Sequence, residues 1–212
     1  ITNWIYEDEV KKRVKENTKI LDLGTAAGEK VLKKFPNCAE ILGTDFSDKM
    51  IETANKNLLQ SGRRNISFRV MDNLKMDTPD NYFDLVTARH TIIDPLQIYK
   101  TLKEGGQLIV RGVDKLDCWS LKRMFKRGQA YNDKIAISEQ DYLDLVKAGF
   151  KKIERVQIVE NEYYNTEQDL MALLLKVPII DDFSEINNEK FEHRTIIEKD
   201  LFDEYLSLIH IS

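Results

Sequence analysis

The feature that most constrains the fold is a repeated alternation of short aliphatic or β-branched runs with stretches of helical periodicity. This alternation is typical of a parallel sheet whose strands are joined by crossover helices, and it predicts an α/β, doubly wound protein. Ser47 is the predicted N-cap of the second helix, and Gly62 its predicted stop. Predicted strands cover residues 19–23, 40–44, 66–71, 83–88 and 107–113, and predicted helices cover residues 29–35, 48–60 and 93–102.

The pattern continues beyond Val113, and it predicts a single domain over residues 1–205. No linker rich in Pro, Gly or Ser interrupts it. We predict a helix at 119–125, a loop at 128–137, a helix capped by Ser138 and ended by Gly149, a strand at 150–159, a helix opened by Thr166, an acidic surface insertion at 178–192 and a final helix.

The composition indicates a soluble globular protein, which we expect to be cytoplasmic. The 212 residues carry a net charge of −4, and no apolar run approaches the roughly 20 residues of a membrane span. Cys38 and Cys118 lie in no metal-binding spacing, so we expect no metal. Four basic residues form a local cluster that is interpreted as a solvated helix face: Lys122, Arg123, Lys126 and Arg127.

Both ends of the sequence suggest a fragment. The chain begins at Ile1 without an initiating Met, so we expect a preceding segment. The heptapeptide at 206–212 is also what one reading frame of a common transposase sequencing adapter encodes, so we expect it to be a non-native tail.

A glycine-containing loop follows the first predicted strand and opens the first predicted helix, in the segment Ile20-Leu-Asp-Leu-Gly-Thr-Ala-Ala-Gly28. Gly24 permits a tight turn and close approach of a ligand to the backbone, and Gly28 lets the helix start against the strand. Ala26 stands where such loops often carry glycine. A plain strand-to-helix turn is the alternative interpretation of this loop alone.

Acidic residues at the next two strand ends strengthen the case for a nucleoside site. Asp45 lies 23 residues after Asp22 (45 minus 22), close to the spacing of about 20 residues that places a carboxylate on a ribose diol. Phe46 and Met50 could flank an adenine, although each could equally be core. Asp72 could accept a hydrogen bond from the adenine amino group, with Asn73 beside it; a turn role is the alternative for Asp72.

These segments together resemble the ordered motifs of class I S-adenosylmethionine-dependent methyltransferases. The resemblance rests on four segments that span about half the chain. They are Asp22-x-Gly-Thr-Ala-Ala-Gly28, Leu42-Gly-Thr-Asp-Phe-Ser47 with Met50 and Ala54, Asp72 followed by Asp84 in Phe83-Asp-Leu-Val86, and Leu102-Lys-Glu-Gly-Gly-Gln-Leu-Ile-Val110.

The resemblance implies a Rossmann-like sheet and S-adenosyl-L-methionine as cofactor, with a cofactor half at about 17–113 and an acceptor half at 114–205. It implies that Asp22, Gly24 and Gly28 shape the methionine end, with Thr25 and Ala26 lining the loop. It also implies that Asp45 holds the ribose and that Asp72 and Asn73 read the adenine. The family further implies a last strand and an N-terminal lid helix, which this chain is expected to lack.

The methyl acceptor is less defined. His90 and Arg89 follow the fourth predicted strand, so His90 is a candidate base and Arg89 a candidate anchor for a carboxylate or phosphate. An ion pair for Arg89 and a loop role for His90 are the alternatives. We expect a small-molecule acceptor. An RNA methyltransferase using the cluster from Lys122 to Arg127, or a cofactor-binding protein without turnover, stays open. A nicotinamide dehydrogenase is disfavoured, because Glu29 stands where its fingerprint needs a small residue.

Overall fold

A computed structural model of the chain describes residues 4–159, 163, 164, 166–181 and 183. Its residues fall into two compact units, the first formed by 1–112 and 141–158 and the second by 113–140 and 159–212. The predicted final helix and the suspected tail at 206–212 lie outside the described residues, as does most of the predicted insertion at 178–192. The helices are α1 (Tyr6–Arg13), α2 (Glu29–Lys34), α3 (Asp48–Ser61), α4 (Pro95–Thr101), α5 (Trp119–Phe125), α6 (Ile137–Ala148) and α7 (Glu167–Lys176).

The first unit is built on a five-stranded sheet. Its strands are β1 (Lys19–Leu23), β2 (Glu40–Asp45), β3 (Ile66–Val70), β4 (Phe83–Arg89) and β5 (Leu102–Arg111). Their order is β3-β2-β1-β4-β5, and every pairing is parallel. The strand order reverses between β1 and β4, and ligands of open α/β sheets bind at the carboxyl ends of the strands around such a switch point. The predicted α/β, Rossmann-like fold is thus confirmed.

Helices cover both faces of this sheet. Successive strand residues point to opposite faces, so each strand supplies apolar side chains to two separate clusters. One cluster joins the strands to α1, α2 and α3 and includes Val10, Ile20, Val31, Ile41, Ala54, Leu85 and Ile109. The other joins them to α4 and includes Leu21, Leu23, Val86, Ala88 and Ile98.

Local signals set the ends of the helices beside the sheet. The Ser47 hydroxyl accepts a hydrogen bond from the Met50 amide at 3.4 Å, and Gly62 ends α3 in the left-handed conformation with φ 69°. Asp94 caps α4 by accepting from two backbone amides, and Pro95 occupies the first turn. The predicted cap and stop of α3 are therefore confirmed.

The bounds of two predicted elements around β5 were wrong. The strand begins at Leu102, five residues before the predicted start, and α4 is shorter than the predicted helix at 93–102. The Gly105-Gly106 pair does not interrupt β5. It lies within the strand, where the register passes from Phe83 beside Leu102 to Leu85 beside Gln107. Gly105 has a φ of +75°, a conformation that side chains rarely adopt, so the pair accommodates a bulge.

Two predictions near α6 were also wrong. Residues 150–159 form no strand, since their alternating apolar residues find no ladder partner in the described part of the chain. Ser138 lies inside α6 rather than at its N-cap, and its hydroxyl donates to the Asp114 carboxylate.

The second unit contains a small apolar cluster of its own. Leu121 and Phe125 of α5 pack with Leu170 and Leu174 of α7. The predicted opening of α7 is confirmed, since the Thr166 hydroxyl accepts from the Asp169 amide at 3.2 Å.

The basic cluster on α5 is not one solvated face, contrary to the prediction. Lys122 is fully buried, and its Nζ donates to the Lys115 carbonyl at 3.3 Å. Burial lowers the pKa of the Lys122 ammonium. Arg123 and Lys126 are exposed, whereas the Arg127 Nε donates to the Asp181 carbonyl at 3.0 Å. Lys122 is therefore unavailable for contact with a phosphate backbone.

Within the described part of the chain, no helix is both long and apolar enough to span a bilayer. The same residues contain no group of three or more His, Cys, Asp or Glu side chains that could hold a metal ion.

Candidate functional site

The loop between β1 and α2 has an unusual backbone. Gly24, Ala26 and Gly28 all have positive φ, at 70°, 49° and 72°. A Cβ on Gly24 would lie 2.7 Å from the Thr91 Cβ, so glycine is required there by space as well as by conformation. Ala26 holds a left-handed conformation that costs a non-glycine residue free energy. The loop is therefore bent sharply at the carboxyl end of the sheet.

Asp45 holds this loop from the neighbouring strand. Its Oδ2 accepts a hydrogen bond from the Ala26 amide at 2.9 Å, and its Oδ1 accepts from the Ser47 amide at 3.0 Å. Each carboxylate oxygen can accept a second hydrogen bond. The carboxylate thus positions the loop and keeps acceptor capacity for two hydroxyl groups.

Asp22 is the buried acid beneath the loop. It is 6% exposed, and its Oδ1 accepts from the Thr87 hydroxyl at 2.7 Å. Burial raises the pKa of the carboxyl to about 6, although the hydrogen bond from Thr87 and the charge of Arg89 act to lower it. A cationic partner would therefore stabilise the ionised form of this carboxylate.

A cavity of about 200 Å³ opens beside the loop. Ligand pockets usually measure about 300–1,000 Å³, so this cavity would accommodate only part of a cofactor. It brings together five of the predicted site residues and Tyr6. Among its lining residues are Tyr6, Asp22, Gly24, Thr25, Ala26 and Arg89.

Tyr6 is a cavity residue that the sequence analysis missed. It is 2% exposed, and its hydroxyl makes no hydrogen bond to any described residue, although it lies near Asp22 and the Thr87 hydroxyl. Burial and the Asp22 charge raise its pKa above the usual range, so the phenol stays protonated and remains a donor. In the sequence, the spacing of Tyr6 from Val10 predicts only that Tyr6 lies on the buried face of α1.

Arg89 lies in the wall of this cavity, beside the loop, although the sequence suggested a role toward the acceptor. His90 follows it with a φ of 53°, and the His90 amide donates to the Arg111 carbonyl at 2.8 Å. The His90 side chain is exposed and is not part of the cavity lining. The two candidates therefore occupy different surroundings.

Asp72 and Asn73 shape the end of β3. Asp72 Oδ1 accepts from the Leu74 amide at 2.9 Å, as a turn residue would. The Asn73 amide group donates to the Thr91 hydroxyl at 2.9 Å and to the Ile92 carbonyl at 3.1 Å, so it ties the loop after β3 to the loop after β4. Its Oδ1 is buried and accepts no hydrogen bond from a described residue. This oxygen is suited to a donor on a ligand.

Phe46 and Met50 are not core residues, so the alternative that they pack in the hydrophobic core is excluded. Phe46 is 77% exposed and Met50 is 45% exposed. They follow β2 at the start of α3, beside Asp45, and they lie outside the cavity lining. Exposed apolar side chains at a ligand edge can pack against a flat ring.

Together these residues fit a nucleoside bearing an amino acid. Four buried side-chain polar atoms lack a partner among the described residues, and two of them are the hydroxyl of Tyr6, in the cavity lining, and the Oδ1 of Asn73, after the end of β3. The buried Asp22 could pair with an ammonium, and Asp45 could accept from a ribose diol. The donor and acceptor set therefore agrees with the predicted cofactor.

Comparisons with known proteins agree with this geometry. Residues 14–174 match the family model described as a methyltransferase domain. The chain is 26% identical over 163 residues to the phosphoethanolamine N-methyltransferase of Plasmodium falciparum, which covers 71% of this chain and 59% of the relative. It is 28% identical over 115 residues to the demethylmenaquinone methyltransferase of Listeria monocytogenes, which covers 50% of this chain and 48% of the relative.

A solved structure supports the fold. The S-adenosylmethionine-dependent methyltransferase from Aquifex aeolicus superposes with a TM-score of 0.50 at 19% identity, covering 68% of this chain and 79% of that one. The present chain spans less than two thirds of the length of either curated relative. The family model covers well over half of the chain, so the protein belongs to the methyltransferase domain family, in its class I S-adenosylmethionine-dependent branch.

Proposed function

We propose that this protein transfers the methyl group of S-adenosylmethionine to a small-molecule acceptor. The observation that carries the proposal is the cavity beside the β1–α2 loop, in which a buried carboxylate, Asp22, lies together with a hydrogen-bond donor, Tyr6. A methionine group carries one ammonium and one carboxylate. The cavity offers a partner of opposite charge or a donor to each.

The cavity would take the methionine end of the cofactor. Asp22 would pair with the ammonium, and this pairing offsets the cost of keeping its own charge buried. Tyr6 would donate to the carboxylate, because its hydroxyl makes no competing hydrogen bond in the described structure. Gly24 and Thr25 would line the loop against the sulfonium side, with Ala26 and Gly28 fixing the bend.

The adenosine end would lie along the strand ends outside this cavity. Asp45 would accept from the ribose hydroxyls with the lone pairs that its two amide contacts leave over. Phe46 and Met50 would cover the adenine faces. Asp72 and Asn73 would meet its edge, with Asn73 Oδ1 as the acceptor for the exocyclic amino group.

The bound cofactor supplies an already activated methyl group, so the protein has mainly to position the acceptor for in-line attack. His90 would serve as the base if the acceptor atom must lose a proton, since its exposed side chain can exchange protons with solvent. Arg89 would hold a carboxylate or phosphate of the acceptor from the cavity wall.

Three observations support a small acceptor over RNA. The two curated relatives named above carry the names of small acceptors, phosphoethanolamine and demethylmenaquinone. Lys122, the first residue of the basic cluster that would contact RNA, is buried and cannot make that contact. The chain also carries a net charge of −4, which does not favour a polyanion.

Calorimetric titration tests the proposal. We expect S-adenosylmethionine and S-adenosylhomocysteine to bind and NAD not to bind. Transfer of a labelled methyl group to a pool of small metabolites, separated from added RNA, then tests turnover and acceptor class. Binding of NAD alone would refute the cofactor assignment, and label recovered only in RNA would refute the acceptor class. Cofactor binding without any transfer would favour the binding protein that the sequence left open.

A further inference from the structure

Two arginines lie side by side at the carboxyl ends of β4 and β5. Arg89 and Arg111 are the last residues of their strands, and they are paired in the parallel register. Paired residues on neighbouring parallel strands point to the same face, with backbones about 4.8 Å apart. Both arginines are half-buried. Arg111 could not be predicted as a site residue from the sequence, because one charge at a strand end carries no signal by itself.

The charge of Arg89 acts to lower the pKa of Asp22 and of Glu7, so these two acids lie within its electrostatic reach. Neither guanidinium forms an ion pair with any carboxylate in the described part of the chain. Asp22 lines the cavity together with Arg89, and its buried carboxylate accepts a hydrogen bond from the Thr87 hydroxyl. Glu7 of α1, a helix that contacts β5, has its Oε1 3.1 Å from the Lys30 Nζ and is already paired.

The two arginines differ in their position relative to the cavity. Arg89 lines the cavity assigned to the methionine end, whereas Arg111 is one strand further out and is not among the lining residues. The pair therefore extends from the cofactor cavity to the surface beside it. Adjacent guanidinium groups repel each other, and an anion that accepts hydrogen bonds from both relieves the repulsion.

We propose that Arg111, together with Arg89, forms a subsite for an anionic group of the methyl acceptor, either a carboxylate or a phosphate. This proposal rests on the proposed function, because it places the acceptor next to a bound methyl donor. The subsite fixes the anionic end of the acceptor on β4 and β5. The atom to be methylated then lies at the mouth of the cofactor cavity.

The cofactor's own carboxylate is the other possible source of the anion, and the experiment separates the two. Affinity for S-adenosylhomocysteine is measured first on the whole chain. Phenyl phosphate and benzoate are then titrated into the protein saturated with S-adenosylhomocysteine, with phenol as the uncharged probe. The variants are Arg111→Gln, Arg111→Lys and the control Arg64→Gln, which changes an exposed arginine before β3.

We expect at least one anionic probe to bind the complex and phenol not to bind. Arg111→Gln should weaken the anionic probe at least tenfold, as loss of charged hydrogen bonds predicts, while Arg111→Lys loses less and Arg64→Gln changes little. S-adenosylhomocysteine affinity should change less than twofold in all three variants. The Arg111 carbonyl that accepts from His90 is retained in each of them.

Three results would overturn the subsite. They are failure of both anionic probes to bind, equal probe affinity in Arg111→Gln and the unmodified protein, and a parallel tenfold loss of S-adenosylhomocysteine affinity in Arg111→Gln, which would assign Arg111 to the cofactor. Failure of the unmodified protein to bind S-adenosylhomocysteine would instead refute the proposed function. The probes are then titrated into the cofactor-free protein, where retained affinity in Arg111→Gln still overturns the subsite.

Discussion

Replacing Tyr6 with phenylalanine should change stability and cofactor affinity in opposite directions. The Tyr6 hydroxyl is buried without a hydrogen-bond partner in the described structure, and leaving such a group unsatisfied costs about 1–3 kcal/mol. Phenylalanine keeps the ring that packs with Val10 and Ile20 in the core. We therefore expect Tyr6→Phe to raise the free energy of unfolding of the cofactor-free protein by about 1 kcal/mol.

The same change should weaken the cofactor complex. A hydrogen bond from a phenol to a carboxylate contributes about 1.5–3 kcal/mol, which corresponds to a loss of affinity of roughly tenfold to a hundredfold. Urea denaturation measures the first effect, and calorimetric titration with S-adenosylhomocysteine measures the second. Tyr99→Phe is the matched control, because Tyr99 is 46% exposed, and neither quantity should change with it. A destabilised Tyr6→Phe protein with unchanged cofactor affinity would show that the hydroxyl has only a structural role.

Three further changes probe the remaining features. Asp45→Ala should weaken S-adenosylhomocysteine binding by about 2 kcal/mol, measured by calorimetry. Glu52→Ala, which changes an exposed residue of α3, should leave this affinity unchanged. Equal affinities of Asp45→Ala and the unmodified protein would remove Asp45 from the site. Asp22 has its pKa raised from 3.8 to about 6, so its contribution to stability declines as the pH rises through this interval, and cofactor affinity should fall as the pH drops below about 6. Asp22→Asn should flatten both profiles, and a pH dependence that persists in this variant would contradict the assignment. Lys122→Met should stabilise the second unit by about 1 kcal/mol in thermal unfolding, because it removes a buried charge with one carbonyl partner, whereas a loss of several kcal/mol would contradict that reasoning.

The strands around the candidate site could be predicted because their sequence signals are local. Short runs rich in aliphatic residues, such as residues 19–23 with Ile20, Leu21 and Leu23, are typical of buried parallel strands. Ser47 and Gly62 mark the ends of α3 through their own side chain or backbone. β5 could not be delimited in this way. Its Gly105-Gly106 pair has the signature of a turn, and only pairing with β4 converts it into a bulge.

Part of the candidate site could be predicted for the same reason. Asp22, Gly24 and Asp45 occupy positions set by spacing along the chain, so sequence alone could bring them together. Tyr6 and Arg111 could not be found, because their relevance depends on which strand or helix lies beside which. Tyr6 also has the sequence signature of an ordinary core residue, since its spacing from Val10 is that of a buried helix face.

The two hydrogen bonds that Asp45 accepts from Ala26 and Ser47 have a consequence for how binding energy is distributed. They hold Ala26 in its left-handed conformation, so the loop is already ordered in the folded protein. The entropy cost of ordering the loop is therefore part of folding, and ligand binding does not incur it again. Small fragments benefit most from such preorganisation, because they cannot supply the free energy that orders a loop. The binding free energy per non-hydrogen atom of adenosine alone should therefore be a large fraction of that of the whole cofactor.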